Sequence, residues 1–491
     1  MPGELFGPIV CTDEVLDATS DRAWVRALLD AESALARAEA EVGVIPVAAA
    51  EAIAVACAAC AAGPAPGSGG PAGGGGDFDA ARLGREARGG GNPVIPLVRA
   101  LSGAVAPEGR DWVHWGATSQ DIMDTAAMLV SCRTVALIEA DLEGLAGACA
   151  GLAETHRATL MVGRTLLQPA LPVTFGLECA GWLGGVTDAR AGLARVRSRL
   201  AAQLGGAAGT LASLGAEGPA VMARFAAHLG LAEPVLVWHT ARQRVAELAS
   251  ALAIAAGTAA KIAGDVALLM QAEVGEVAEP AAPGRGVSST LPHKRNPVAA
   301  AAVGAAARQA YALVPVLLSA LGAEHQRALS AWPAEWGALT ELLALAGGAV
   351  ARTRETVAGL EVHPEAMAAN LARTGGAVMA ERISLALAPI LGRQAAKDAV
   401  AGVAARAASS GRSLAEELGD DPAVVGAFGP GRLPGLLDPA GYLGATDAWI
   451  DRALAAHARA CLAWAGTDGL ARAGTDGPGR TPAGAGPGEV G

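Results

Sequence analysis

The sequence predicts an all-α protein built around a bundle of long helices, and three observations point that way. Apolar residues make up 52% of the chain but aromatic ones only 3%, so Ala supplies much of the core, as suits helices packed closely through small side chains. The stretches Trp238 to Glu273, Pro297 to Glu324 and Glu335 to Ala358 are amphipathic and poor in breakers, over lengths that fit an elongated bundle better than a compact globule. Few β-branched residues interrupt those apolar runs. At 491 residues the chain exceeds what one core usually fills, which implies two or three domains or one elongated helical body.

Residues 1–112 read as an N-terminal helical domain. Ser20 and Asp21 can cap a helix whose apolar positions Trp24, Leu28, Leu35 and Ala38 recur at helical spacing, and Gly43 with Pro46 marks its end. Within this region, residues 63–76 are almost entirely Gly, Pro, Ala and Ser, a composition that predicts a flexible insert. The Gly-x-Gly spacing there lacks the preceding strand and the following Lys-Ser or Lys-Thr of a nucleotide-binding loop. Residues 113–363 hold the long helices. After His363 and Pro364 the helices shorten, and Gly and Pro become frequent from Gly426 to Gly444, so 364–464 reads as a C-terminal helical domain. Residues 465–491, rich in Gly, Pro, Ala and Thr, read as a disordered tail.

The formal net charge of −11 argues against a general nucleic-acid or anionic-membrane partner. A small anionic ligand fits better, drawn by a local cluster such as Lys294 and Arg295. No uncharged apolar run reaches the roughly 18 residues of a membrane span; Leu248 to Ala260, for example, is cut off by Glu247 and Lys261. The first residues show no basic region followed by an apolar one, so no secretion signal is read. Seven cysteines, an odd number, lie scattered in apolar helical sequence, and Cys57 and Cys60 lack the second Cys or His pair of a zinc site. The expectation is a cytoplasmic protein with buried thiols.

Four stretches carry polar chemistry. From Gly284 to Pro297 the chain reads as a mobile loop feeding a helix, with Gly284 and Gly286 for unusual backbone angles and Pro292 and Pro297 as breakers. Ser288 and Ser289 supply hydroxyls there, and Lys294, Arg295 and Asn296 supply positive charge and directed donors. A serine in such a loop can transfer protons if amide N–H groups and a lysine stabilise its alkoxide. An ordinary basic surface loop uses the same residue types, so the loop alone leaves both readings open. Thr118 and Ser119 can open a helix whose free N–H groups would hold a carboxylate, or Ser119 can simply cap it with Asp121 and Asp124 in the first turn. Between Gly163 and Gly176, Arg164, Thr165 and Gln168 offer donors, with Leu166 among them. Glu324 to Trp336 gathers His325, Arg327, Trp332 and Trp336 around Pro333.

Three of these stretches line up with one family: His-x-Gly-x-Thr-Ser-x-Asp at His114 to Asp121, Gly-Arg-Thr followed by Gln-Pro-Ala at Gly163 to Ala170, and Ser-Ser-x-x-Pro-x-Lys-x-Asn-Pro at Ser288 to Pro297. In this order they resemble the fumarase and aspartase superfamily over roughly residues 1 to 460. The resemblance implies three helical domains around a central long-helix bundle, a homotetramer with active sites shared between subunits, and no metal or organic cofactor. It also implies addition or elimination beside a carboxylate of a small polycarboxylate, through a carbanion held as an aci-carboxylate. By matching position, Ser288 is the proton-transfer serine, Lys294 and Asn296 hold a substrate carboxylate, and Thr118 and Ser119 form a further anion site. His114 and His293 are alternative proton donors, and Arg164, Thr165, Gln168, Ser289, Arg295 and Arg327 complete the expected polar surround.

Two departures matter. Many superfamily lyases have His where this chain has Leu166, and that His assists proton transfer at the leaving amine or oxygen. Leu166 is tolerable if the group added or expelled is a carboxylate, whose pKa near 4 lets it attack or leave at neutral pH without a general acid. An intramolecular addition that forms a lactone has that property. Val287 stands where Gly or a directly following Ser would be more usual. An adenylosuccinate-type lyase would want the missing His and more phosphate-binding groups after Arg327, where Trp332 and Trp336 stand instead. A non-catalytic protein on the same scaffold is opposed by the intact Ser288, Lys294 and Asn296, and a serine hydrolase by the missing second Gly of a nucleophile elbow.

Overall fold

Caps and breakers place the helix ends, and Ala-rich runs fill the spans between them. The computed structural model describes residue 3 and residues 5–62, 78–282, 284, 286, 290, 291, 294–429 and 431–473, without the side chains of 463 and 465–473. The Gly-rich insert expected at 63–76, Ser288, Ser289, His293 and the residues after 473 lie outside these described residues. Helix α1 spans Asp21–Val42; the Ser20 hydroxyl accepts from the Ala23 N–H, and Gly43 ends it at a φ of 85°. Helix α2 spans Val47–Ala62.

The bundle consists of α3 (Ser119–Thr155), α4 (Phe175–Arg197), α5 (Gln243–Leu269), α6 (Val298–Ser319) and α7 (Ala331–Ala358). Each packs along its neighbours in the order α3, α4, α5, α6, α7 and back to α3, and α5 also meets α7. Small residues permit this closeness: Ala255, Ala256, Ala259, Ala306, Ala307, Ala346 and Ala349 are all buried where these helices meet. The same continuous core takes in Ala27, Leu28 and Leu35 of α1, so the N-terminal helices are fused to the bundle side. Trp24 Nε1 donates to Thr340 Oγ1 at 3.1 Å, tying α1 to α7.

Among the described residues, two small sheets break the helical pattern. Strands β1 (Leu160–Thr165) and β2 (Gln168–Thr174) form an antiparallel hairpin between α3 and α4, pairing Leu160 with Thr174 and Thr165 with Gln168. Further along, β3 (Val277–Ala278) pairs with β4 (Glu361–Val362). Helices α8 (Ala380–Leu391) and α9 (Arg393–Ser410) belong to a smaller unit with its own core of Ile383, Leu387, Val400, Val403 and Leu418. The last helix, α10 (Thr446–Ala473), runs past the expected tail boundary at 465 and lies on α4 and α3. Ile450 joins the bundle core, Arg157 pairs with Asp451 at 2.8 Å, and the Arg190 guanidinium stacks 3.5 Å over Trp464.

By length and composition, α5 and α6 (the latter continued to Gly322) could cross a membrane. Both instead pack one side into the bundle. Lys261 and Asp265 interrupt the apolar run of α5, and Arg308 that of α6.

Candidate active site

The direction of each helix decides which motifs can meet. α3 begins at the His114 motif and runs to the hairpin; α4 returns; α5 leaves again, α6 returns and α7 leaves. The motif residues therefore fall at two opposite ends of the bundle. The 27 residues of α5 separate those ends by about 40 Å at 1.5 Å per residue.

At the first end, Asp121 is fully buried and organises the start of α3. Its carboxylate accepts from the Thr118 N–H at 3.0 Å, from the Gly205 and Gly206 N–H groups at 2.9 Å, and faces His239 Nε2 at 2.7 Å. Thr118, rather than Ser119, is the N-cap, and Ser119 is the first helical residue; both remain half-buried. Arg327 joins this end by donating to the carbonyls of Ala207 at 2.9 Å and Gly206 at 3.4 Å. His114 lies just upstream, with Nδ1 2.7 Å from Glu32 Oε1 of α1. Burial alone would lower the His114 pKa, but the Glu32 carboxylate outweighs it and raises the value above the ordinary imidazole range, helped by Asp121.

Beneath these groups lies a second buried network. Arg242 donates to Asp124 at 2.7 Å and also pairs with Glu335, while Trp332 Nε1 donates to Asp124 Oδ1 at 3.0 Å. Gln120 Nε2 adds bonds to Asp124 and the His239 carbonyl. These satisfied charges fix the register of α3, α5 and α7 at the end where α3 begins.

At the opposite end, Arg164 of β1 makes a bidentate pair with Glu276, at 2.7 and 2.9 Å, and Asn370 Nδ2 donates to the same carboxylate at 2.8 Å. Both Nη atoms of Arg164 are thus engaged in holding the hairpin to the loop after α5. Thr165 and Gln168 are exposed beside the turn, and the turn itself is Leu166 and Leu167, at φ 50° and 65° and 97% and 68% exposed. Arg295 forks onto Glu361 at 3.1 and 3.2 Å, Asn296 Nδ2 donates to the Gly286 carbonyl at 3.2 Å, and Lys294 is exposed. Glu279 accepts from the Ala299 and Ala300 N–H groups, so the start of α6 is already capped by a carboxylate of this chain.

One chain thus brings together His114, Thr118, Ser119 and Arg327 at one end, and Arg164, Thr165, Gln168, Lys294, Arg295 and Asn296 at the other. Glu32, His239 and Glu276 escape a reading of the sequence alone. Their signal is faint: Glu32 is an acid on the apolar face of an amphipathic helix, between Leu28, Leu29 and Leu35.

Comparisons with known proteins place the chain in a family. Residues 90–311 match the family described as Lyase, and residues 376–453 the family described as Adenylosuccinate lyase C-terminus. The chain belongs to the fumarase/aspartase superfamily. It is 46% identical over 442 residues to a 3-carboxy-cis,cis-muconate cycloisomerase of Pseudomonas aeruginosa, covering 89% of this chain and 93% of that one. It is also 43% identical to a nitrosuccinate lyase of Streptomyces davaonensis, over 93% of this chain and 95% of that one. The crystal structure of a 3-carboxy-cis,cis-muconate lactonizing enzyme from Pseudomonas putida superposes with a TM-score of 0.85 at 40% identity, over 94% of this chain and all of that one.

Proposed function

We propose that this chain is a 3-carboxy-cis,cis-muconate cycloisomerase, acting in the cytoplasm in the protocatechuate (β-ketoadipate) branch of aromatic degradation. The observation that carries the reading is Leu166: the position where superfamily lyases place a proton-transferring His is an exposed aliphatic side chain at a hairpin tip. A reaction that attacks with a carboxylate needs no acid or base there, because a carboxylate is already a stable anion at neutral pH. The similarity to named cycloisomerases along most of the chain supports the same substrate.

In the proposed step, one substrate carboxylate adds to the conjugated double bond and forms the lactone C–O bond. The displaced electron pair collects on a second carboxylate as an aci-form dianion, held by Lys294, Asn296 and N–H groups of the glycine loop. A proton then closes the new C–H bond, with Ser288 as first donor and solvent water returning a proton to its alkoxide, so the lactone acid is an isomer of the substrate acid and nothing leaves. Thr118, Ser119 and Arg327 would hold a remaining carboxylate at the helix start. Arg164 would act mainly through the hairpin it anchors.

Such a substrate spans less than about 10 Å, far short of the distance between the two ends. The site is therefore proposed to form between subunits of a homotetramer, where an end of one bundle meets the opposite end of another. Exposed Ile254 and Leu268 on α5 and Tyr311, Val316 and Leu318 on α6 supply apolar faces for that assembly.

A second reading has its own support: a nitrosuccinate lyase is 43% identical. Expulsion of nitrite, also a stable anion at neutral pH, would tolerate Leu166 equally well. Ultraviolet absorbance with 3-carboxy-cis,cis-muconate, run beside nitrite release from nitrosuccinate, separates the two. Loss of the diene band, abolished in Ser288→Ala, supports the cycloisomerase; nitrite release with an unchanged diene band would replace it by the lyase.

A further inference from the structure

The apolar face of α1 carries two buried acids one heptad apart, Glu32 and Glu39. Burying a carboxyl among Leu side chains is unfavourable without a partner, so each calls for an explanation. Glu32 has one in His114: Nδ1 and Oε1 are 2.7 Å apart, with the Glu32 side chain 1% exposed and that of His114 17% exposed. His114 itself sits at φ 61°, a left-handed conformation that a non-glycine residue keeps only where its surroundings over-determine it. With Nδ1 engaged, Nε2 is the ring nitrogen left for other chemistry.

We infer that Glu32 is a positioning residue for His114: its carboxylate on Nδ1 fixes the ring so that Nε2 serves the anion cradle proposed at the start of α3, and it favours the ring's cationic form while negative charge gathers on the substrate. The arrangement is that of a buried carboxylate behind a working histidine, where the acid sets ring orientation and stabilises the cation. The charged groups around the ring agree with this role. Glu32 from α1 and Asp121 from α3 both favour the cation, while Asp121 is itself engaged by His239 and three backbone N–H groups. Glu39, the second acid of α1, is pushed up to about 9 by burial and then by the Glu32 charge, so at neutral pH it adds no charge beside the Glu32–His114 pair. The inference rests on the cycloisomerase reading of the same site.

The test compares full-length wild type with Glu32→Gln and Glu32→Asp by two independent measurements. Deuterium exchange at the His114 ring C2–H, followed by mass spectrometry on the unliganded protein across pH, reports the imidazole titration without any turnover. The expected result is a midpoint lower by about one pH unit or more in Glu32→Gln, with Glu32→Asp in between. In the diene assay the alkaline limb of kcat should move down in step, with kcat above that limb reduced at least about ten-fold and KM changed less than about two-fold. An unmoved midpoint, or a fall in kcat with the limb in place, would overturn the inference and leave Glu32 a packing residue. If wild type does not consume the muconate while the midpoint still falls in Glu32→Gln, the substrate assignment fails and the Glu32–His114 pair stands.

Discussion

Glu39→Gln should make the protein more stable than wild type by a margin that grows with pH. Glu39 is fully buried, neither carboxyl oxygen has a hydrogen-bond partner among the described residues, and its pKa is pushed up to about 9. In the unfolded chain the same group titrates near 4.3. Because the folded value lies above the unfolded one, the stability Glu39 contributes is complete below about pH 4 and is lost as pH rises toward about 9. Between those limits the native state binds about one more proton, a slope of about 1.4 kcal/mol per pH unit. Gln keeps the shape and the neutral amide but cannot titrate, so the slope disappears. The difference between variant and wild type should therefore rise by about 3 kcal/mol from pH 6 to pH 8. Urea titrations of both proteins at pH 6, 7 and 8, followed by tryptophan fluorescence and read as differences, cancel the other titrating groups. A difference that stays flat or falls with pH would refute the reasoning, since it would mean that Glu39 is ionised within the fold.

Arg164→Ala should destabilise the docking of the hairpin by about 3 kcal/mol, because it removes the cationic partner of the buried Glu276 carboxylate and leaves it, among the described residues, the Asn370 side chain as donor; faster proteolysis between 160 and 174 would report it. The double variant Leu166→Asn, Leu167→Gly puts residues suited to positive φ in the turn and should relieve about 1–2 kcal/mol per residue of backbone strain. The same change should lower cycloisomerase turnover, because the apolar tip is lost; thermal melts and the diene assay check the two effects separately.

The helices were legible because their signals are local. Ser20 and Gly43 sit where a cap and a left-handed terminator belong, and α5, α6 and α7 begin and end within a few residues of the breaker-free stretches that predict them. The hairpin was not legible, for an equally local reason. A two-residue turn normally announces itself with Asn-Gly or Asp-Gly, whereas this one places two leucines at positive φ, and Pro169 and Pro172 in β2 look like breakers. Tertiary pairing through Arg164 and Glu276 overrides that preference. The polar motifs were legible as residue types and order, but not as a place. Whether His114 and Lys294 share an end of the bundle depends on the direction in which each helix runs, which no motif spacing encodes. Glu32 stayed hidden because an acid in an amphipathic helix reads as solvated surface until the fold turns it inward.

The most direct test of a site built from opposite ends of neighbouring bundles is subunit complementation. His114→Asn removes a residue at one end and Lys294→Ala at the other, and each variant alone should be nearly inactive in the diene assay. Mixed one to one, dissociated and reassembled, they should regain activity approaching about a quarter of wild type, the fraction of sites that draw both intact ends from different subunits. Hybrids that form by native mass spectrometry yet remain as inactive as their parents would contradict the account, because each chain would then have to supply both ends of its own site.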